Sequence, residues 1–509
     1  MKDQGYTYNK YIYTNQETRW ATTDEIRASG TYVDLNAKSY PVAGLPIMSD
    51  GREAYVDGED NHTIIFGATG SKKTRLFCMP MLNMFCGAGE SFIATDPKGE
   101  LYNRTSGYAR SQGYKIVVLN FRNIGTGDMW NPLHIPYTLY KAGRTEEANS
   151  LLNDFVATIA EPQMANNKDI YWPQMAMSYA LANLLLLMEC ASPEEANVAS
   201  LAHLCSSSNC SDLLTLSRKM SPETIAGMNY RGVLTAPERT RDSILSVLFG
   251  MVGIFNTQKS LTNMLSGNTM EIKNFGHEKT AVYIIMPDEK TTFHFLVTMF
   301  IKQVYELLIA EAQDCENLRL PVRVNFVLDE FCNLPKIPDM PSMISASRSR
   351  NMRFFLVAQS LHQLKGKYGE DADTIKGNCE NWVFLTSKEL ALLNEISELC
   401  GSVYTTQNYS RRLISVSELQ RLDKSKGEAL IMHSRQYPFI TEIADIDRYK
   451  CFQGYEPIPF VPFRVPEARI IALPEIVDQV EKGKRKPPFG FKSQREADRY
   501  KNSSRFGWD

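Results

Sequence analysis

A chain of 509 residues is too long for one compact domain, and 43% hydrophobic with 22% charged residues is a globular composition that excludes wholesale disorder. Lys and Arg number 56 against 58 Asp and Glu. The formal net charge of −2 excludes a protein that coats nucleic acid by bulk charge, although a local basic channel can hide within such a sum. The segment 1–60 is polar and turn-rich, with Gly30, Gly44, Gly51 and Gly58 and no sustained periodicity. It leads into a first α/β block over 61–142. There Thr63–Phe66, Ser91–Thr95 and Lys115–Asn120 read as strands, and an apolar helix follows the first of them through about Cys86. Strands alternating with helices in this way predict a parallel sheet covered on its faces.

Between 143 and 272 the pattern changes to helical periodicity, in EEANSLLNDFVATIA, MSYALANLLLLMECA and RDSILSVLFGMVGIF. This block is expected to be an all-helical domain inserted into the α/β one. The longest apolar run, Tyr179 to Ala191, is broken by Asn183 and Glu189 and is shorter than the roughly 20 residues of a membrane span, so it reads as a buried helix. Strands resume at Ala281–Met286, Val324–Leu328, Phe354–Ala358 and Trp382–Leu385, with a long helix from His294 to Gln313, so the second α/β block is set at 273–481. The end, 482–509, holds nine Lys and Arg against three Asp and Glu and reads as a basic flexible tail.

The ten cysteines form no CxxC pair, which suits reduced thiols. His203, Cys205 and Cys210 come nearest to a metal cluster, but their spacing fits no common zinc pattern. The N-terminus lacks the apolar stretch of a signal peptide.

The strongest chemical signal is Gly67-Ala68-Thr69-Gly70-Ser71-Lys72-Lys73-Thr74, directly after a strand and before a helix that opens with Arg75. A GxxxxGK[ST] loop surrounds phosphates with backbone N–H groups, reaches their oxygens with its lysine, and holds Mg²⁺ with its hydroxyl. Gly67, Lys73 and Thr74 fall in register, but Lys72 stands where the pattern has glycine. Its long side chain either narrows the phosphate pocket or turns outward. A second element, Val324-Asn-Phe-Val-Leu-Asp-Glu330, is a buried strand ending in two carboxylates. That is a Walker B form, in which Asp329 holds the Mg²⁺ shell and Glu330 polarises the attacking water. Gln359 follows another strand and would emerge at the same sheet edge, as a γ-phosphate sensor, a water-positioning group or a helix cap. Arg348, Arg350 and Arg353 follow the Walker B strand. One of them is an arginine finger for a neighbouring subunit, or all three form a solvated basic face.

IIFGATGSKKTR, FIATDPKGELY (92–102), WNPL (130–133), VNFVLDEFCNLPKIP (324–338) and FFLVAQS (354–360) together resemble the type IV secretion coupling proteins, TraG/TraD-like ATPases of bacterial conjugation. The likeness runs from RWAT (19–22) through APERTRDSIL (236–245) to about Tyr449. It implies a RecA-like P-loop nucleotide-binding domain with an inserted all-α domain, using ATP and Mg²⁺. It also implies hexameric rings at the cytoplasmic face of the bacterial cell membrane; a chain isolated without its anchor or substrate is expected to be monomeric. These would deliver a relaxase–single-stranded DNA complex, or a protein substrate, to the secretion channel at the inner membrane. By the motif match Lys73 and Thr74 become the Walker A pair and Asp329 and Glu330 the Walker B pair. Gln359 becomes the motif III glutamine and Arg348 the trans-acting finger. Family members carry transmembrane helices ahead of the RWAT-like segment, whereas 18 residues precede it here, so this chain is expected to have no membrane span of its own. The competing readings are a DNA-pumping ATPase of the FtsK/HerA kind and a low-turnover nucleotide-binding docking adapter, the latter motivated by Lys72.

Overall fold

The structure, a computed structural model, describes residues 18–166, 169–404, 410–462 and 467–491. The described residues divide into two compact units: one of those up to Arg122 with Glu271–Phe460, the other of those in Asn123–Met270 with those from Val461 onward.

The described residues of the first unit form fourteen strands: β1 (Thr31–Asp34), β2 (Leu45–Ser49), β3 (Glu53–Asp57), β4 (Thr63–Phe66), β5 (Ser91–Asp96), β6 (Lys115–Asn120), β7 (Thr280–Ile285), β8 (Val324–Leu328), β9 (Met352–Ala358), β10 (Asn381–Phe384), β11 (Ser402–Tyr404), β12 (Ser410–Arg412), β13 (Glu428–His433) and β14 (Phe439–Glu442). Nine of them form one sheet in the order β14-β13-β10-β4-β9-β8-β5-β7-β6. From β10 to β6 every neighbour is parallel, and β13 and β14 close one edge antiparallel. Each strand expected from the sequence recurs within two residues of its expected bounds, because a parallel sheet buried on both faces writes itself as continuous apolar runs. The helix expected over His294–Gln313 is His294–Asp314.

In the segment read as irregular before residue 60, the described residues form a helix, Thr23–Ser29 with a Thr22 capping box, then the antiparallel sheet β1-β3-β2. Its strands are short, and the burial of β1 falls on Val33 alone, so no alternation announces them. Residues 1–17 lie outside the described residues.

At the amino-terminal end of the large sheet a buried ionic knot ties this small sheet to the core. Arg353, fully buried, donates to Asn325 Oδ1 (2.8 Å), Glu90 Oε2 (2.6 Å) and the Ala43 and Glu59 carbonyls. Arg323 joins Asp60 and Glu90. A guanidinium is kept in such a place by satisfying its donors with carboxylates and carbonyls.

The second unit is helical: His134–Lys141, Thr145–Asn166, Tyr171–Cys190, Val198–Leu204, Cys210–Ser217, Ile225–Leu234, Glu238–Val252 and, after the chain returns, Leu473–Glu481. The apolar run 179–191 is buried apart from Leu181, Glu189 and Cys190, and its Asn183 is satisfied by accepting from Tyr230 Oη at 2.9 Å and donating to the Tyr179 carbonyl. The unit begins earlier than the expected 143: Trp130 is fully buried in it, and Asn131 donates to the Ala196 carbonyl at 2.8 Å. It also claims residues that the sequence assigned to the second α/β block and to the tail. Asn197 donates to the Arg469 carbonyl (2.8 Å), and Ser221 N–H donates to the Phe489 carbonyl (2.8 Å). Of the expected flexible tail, 482–491 therefore packs on helices, and 492–509 lies outside the described residues. Among the described residues no helix is long and apolar enough to cross a membrane. All ten cysteines are free, and no group of three or more His, Cys, Asp or Glu among the described residues is arranged to hold a metal.

Candidate functional site

The carboxyl ends of β4, β9, β8 and β5 lie side by side, so whatever follows each of these strands meets at one edge of the sheet. In open α/β folds this edge is where ligands bind. The loop after β4 hangs from its neighbours: Gly67 N–H donates to the Ala358 carbonyl (3.2 Å) and Ala68 N–H to the Thr386 carbonyl (2.8 Å). Gly67 has to be glycine, since a Cβ there would fall 2.4 Å from Ser71 Oγ and 3.1 Å from Lys73 Cγ. Gly70 takes φ +76°, and Ser71 N–H turns back to the Ala68 carbonyl at 3.1 Å. Lys73 is 6% exposed. Its ammonium donates to the Gly67 carbonyl (2.5 Å) and the Ala68 carbonyl (3.4 Å), so it folds back over its own loop. Burial pulls its pKa down, against the attraction of Glu330 and Asp329. Ser71 Oγ is buried with no hydrogen-bond partner among the described residues, an orphan polar atom within the loop.

Lys72 resolves the alternative left open by the sequence. Its backbone is left-handed, φ +67°, the conformation that the pattern's glycine supplies freely and that costs a residue with a Cβ about 1–2 kcal/mol. Its side chain turns away from the loop, with Nζ 3.5 Å from Asp445 Oδ2. Arg75 joins the same carboxylate, Nε at 3.1 Å, and also reaches Asp447. These carboxylates hold the Arg75 guanidinium above its usual pKa. Beyond Thr74 the first turn, Thr74–Cys78, is a wide π-turn before the α-helix Met79–Ala88. Pro80 has no N–H to give the Leu76 carbonyl.

Opposite the loop, Thr74 Oγ1 donates to Asp329 Oδ2 at 2.8 Å. Asp329 is 4% exposed, and burial pushes its carboxyl up to about 6 while the Thr74 hydroxyl pulls it down. Thr95 Oγ1 fixes the Asp329 carbonyl at 2.8 Å. Glu330 follows in a left-handed conformation, φ +56°, which turns it out of the strand direction. Its Oε2 accepts from Gln359 Nε2 (2.5 Å) and from Asn333 Nδ2 (3.2 Å). Gln359 Oε1 accepts in turn from Thr69 Oγ1 at 3.2 Å. The structure thus gathers Gly67, Ala68, Thr69, Gly70, Ser71, Lys73, Thr74, Asp329, Glu330 and Gln359 at one place and leads the side chains of Lys72 and Arg75 away from it.

The arginines do not join them. Arg348 lies in the turn Arg348–Arg350 ahead of β9, at the opposite edge of the sheet, and pairs with Glu380 at 3.3 Å. Arg350 donates to the Ala346 carbonyl, and Arg353 belongs to the buried knot. Two residues near the loop had no role in the sequence reading. Asp96, ending β5, accepts from Tyr102 N–H at 2.8 Å and is pushed up to about 6 by burial. Lys98, two residues on, depresses the Lys73 ammonium by its charge. Asp96 carries the same signature as Asp329, an acid closing an apolar strand, and could have been found by it. Asp445 carries no such signature.

The arrangement offers backbone N–H groups and a buried ammonium to an oxyanion. A hydroxyl with a buried carboxylate suits a hard divalent cation, and a second carboxylate is held by an amide at hydrogen-bond range.

A sequence model of the type IV secretory system conjugative DNA transfer family matches residues 19–430. The conjugal transfer protein TraG of Escherichia coli is 26% identical over 429 residues, 77% of this chain and 65% of that protein, so the chain spans about two thirds of the relative's length. Among solved structures, the plasmid coupling protein TrwB in complex with the ATP analogue ADPNP is similar with TM-score 0.61 at 13% identity, covering 91% of this chain and 99% of that chain. TrwB in complex with ADP and Mg²⁺ is similar with TM-score 0.60 at 13% identity, covering 89% and 100%. The likeness shows the fold: a RecA-like α/β core with a helical domain.

Proposed function

We propose that this chain, which belongs to the type IV secretory system conjugative DNA transfer family, is a coupling ATPase that uses MgATP to hand relaxase-bound single-stranded DNA, or a protein substrate, to a secretion channel at the inner membrane. The observation that carries the reading is the Thr74–Asp329 contact at 2.8 Å. It sets the loop hydroxyl against the strand-end carboxylate, with Lys73 on one side and Glu330 on the other. The N–H groups of Gly70 to Thr74 and the Lys73 ammonium hold the β- and γ-phosphates. Thr74 and Asp329 hold Mg²⁺, which neutralises charge on the phosphates when bound. Glu330 accepts a proton from the attacking water, and Gln359 fixes the carboxylate that does so. Arg348 acts on a neighbouring subunit's nucleotide in a hexameric ring. The ring works at the cytoplasmic face of the cell membrane, and the helical unit meets the cargo.

The docking-adapter reading draws its support from a lysine filling the phosphate cradle, and the Lys72 side chain lies toward Asp445 instead. The FtsK/HerA reading loses ground to a family match that spans 19–430. The test is phosphate release from ATP, with and without single-stranded DNA, by the unmodified chain and by Lys73→Ala, Glu330→Gln and Lys72→Gly. Turnover that rises with DNA and vanishes in the first two variants supports the motor. Turnover found only in Lys72→Gly supports the adapter.

A further inference from the structure

Lys72 keeps a left-handed backbone, φ +67°, at a position where a side chain favours φ below zero unless something holds it. Rotation about that φ would reorient the peptide joining residues 71 and 72, whose N–H is one of the donors of the loop. The holding group is visible. Asp445 Oδ2 lies 3.5 Å from Lys72 Nζ and 3.1 Å from Arg75 Nε, and Asp445 Oδ1 accepts from Arg75 Nη2, so one carboxylate meets both cations. Asp447 also takes Arg75 and sits 3.6 Å from Arg104. Asp445 itself stands on fixed backbone: Ala444 N–H donates to the Ser49 carbonyl (3.2 Å), Ile443 N–H to the Gly427 carbonyl (3.0 Å), and Asp445 Oδ1 accepts from Asp447 N–H (3.4 Å).

We propose that Asp445 is a positioning residue for the phosphate loop, a clamp that holds Lys72 left-handed and keeps its ammonium out of the phosphate cradle. The clamp rests on the reading of the loop as a nucleoside triphosphate site. A loop with glycine at this position needs no such partner, because glycine takes the conformation unaided. Lys72 and Asp445 together therefore do the work of one glycine. They also make the loop's shape depend on the segment after β14.

The test is a double-mutant cycle read by titrating mant-ATP with Mg²⁺ against the full chain, Asp445→Asn, Lys72→Gly and the double variant. Asp445→Asn alone is expected to weaken binding up to about fivefold, the most that a partly exposed ion pair can contribute. Added to Lys72→Gly, the same change should weaken binding less than about twofold, because Asp447 still holds Arg75. Equal losses in both backgrounds, or no loss in either, would overturn the clamp. The thermal midpoints of the four ligand-free proteins carry the same coupling without nucleotide. Asp445→Asn should lower the midpoint more beside Lys72 than beside the Lys72→Gly change. If the unmodified chain fails to bind mant-ATP, the functional reading falls while these midpoints still decide the clamp, and equal shifts overturn it.

Discussion

Thr74 Oγ1 and Asp329 Oδ2 meet at 2.8 Å, although 255 positions separate them in the chain. Parallel pairing of β4 with β9 and of β9 with β8 makes the meeting possible: it leaves one strand between the loop and the acid, and Gln359 leaves that middle strand between them.

Asp329 is expected to weaken the ligand-free fold near neutral pH. A carboxyl raised by burial from 3.8 to about 6 binds its proton more tightly when folded. The stability it confers is therefore full below about 3.8, declines as pH climbs, and is gone above about 6. Asp329→Asn should stabilise the ligand-free chain at pH 7.5 by up to about 3 kcal/mol in urea unfolding, and the gain should vanish near pH 4. Mg²⁺-dependent nucleotide binding should fall in the same variant. A loss of stability at pH 7.5 would mean that the carboxylate is held by more than burial allows.

Gln359 is expected to act through Glu330. A carboxylate accepts only, so the Gln359 amide must present Nε2 to Glu330 and Oε1 to the Thr69 hydroxyl, as it does. Gln359→Leu should lower kcat about 10- to 100-fold with nucleotide affinity within about threefold, while Glu330→Gln should lower kcat by about 10²–10⁴. Steady-state phosphate release beside mant-ATP titration checks both. An affinity loss equal to the kcat loss would assign Gln359 to the nucleotide rather than to Glu330.

His62, fully buried just ahead of β4, accepts from Phe354 N–H through Nδ1 at 3.0 Å and faces Ser347 Oγ through Nε2 at 3.3 Å. Burial pushes its pKa down from 6.5 to about 4. A depressed histidine stabilises the fold above about 6.5, and that contribution is lost as pH falls toward 4. The unmodified chain should therefore lose about 3 kcal/mol more between pH 7 and pH 4 than His62→Gln, whose amide can serve both partners without titrating. Parallel pH dependences of the urea midpoint would refute this.

How far the sequence speaks follows from how far apart the cooperating residues lie. VNFVLDE and FFLVAQ are legible because a strand buried on both faces needs only its own residues to declare itself. The loop Gly67–Thr74 is legible because eight consecutive residues make it. The β1-β3-β2 sheet is not, since β1 buries Val33 alone and β2 carries Pro46 beside a register shift, so neither shows a strand's period. Nor is the return of 467–491 to the helical unit, which depends on backbone bonds such as Asn197 to Arg469. Asp445 is invisible for the same reason: it meets Arg75 across 370 positions, and an acid after a short strand is ordinary in itself. The direction taken by Lys72 depends on that distant acid, so the local sequence leaves it undecided.

Arg348 lies ahead of β9 while the phosphate loop lies beyond the carboxyl end of its neighbour β4, so a seven-residue strand, about 20 Å, stands between the guanidinium and its own loop. A role in turnover must then be played on another subunit's nucleotide, and that has a consequence a structural role lacks. Lys73→Ala lacks the ammonium but keeps the arginine, and Arg348→Ala lacks the arginine but keeps the ammonium, so each alone should release little phosphate. Mixed at equal amounts under ring-forming conditions, a random pairing sets an intact loop against an intact arginine at about one interface in four, and about that fraction of normal turnover should return. Recovery in the mixture, with nucleotide binding by Arg348→Ala unchanged, assigns Arg348 to the neighbour's site. Turnover by Arg348→Ala alone would reduce it to the partner of Glu380, a half-exposed ion pair whose loss is worth little to stability.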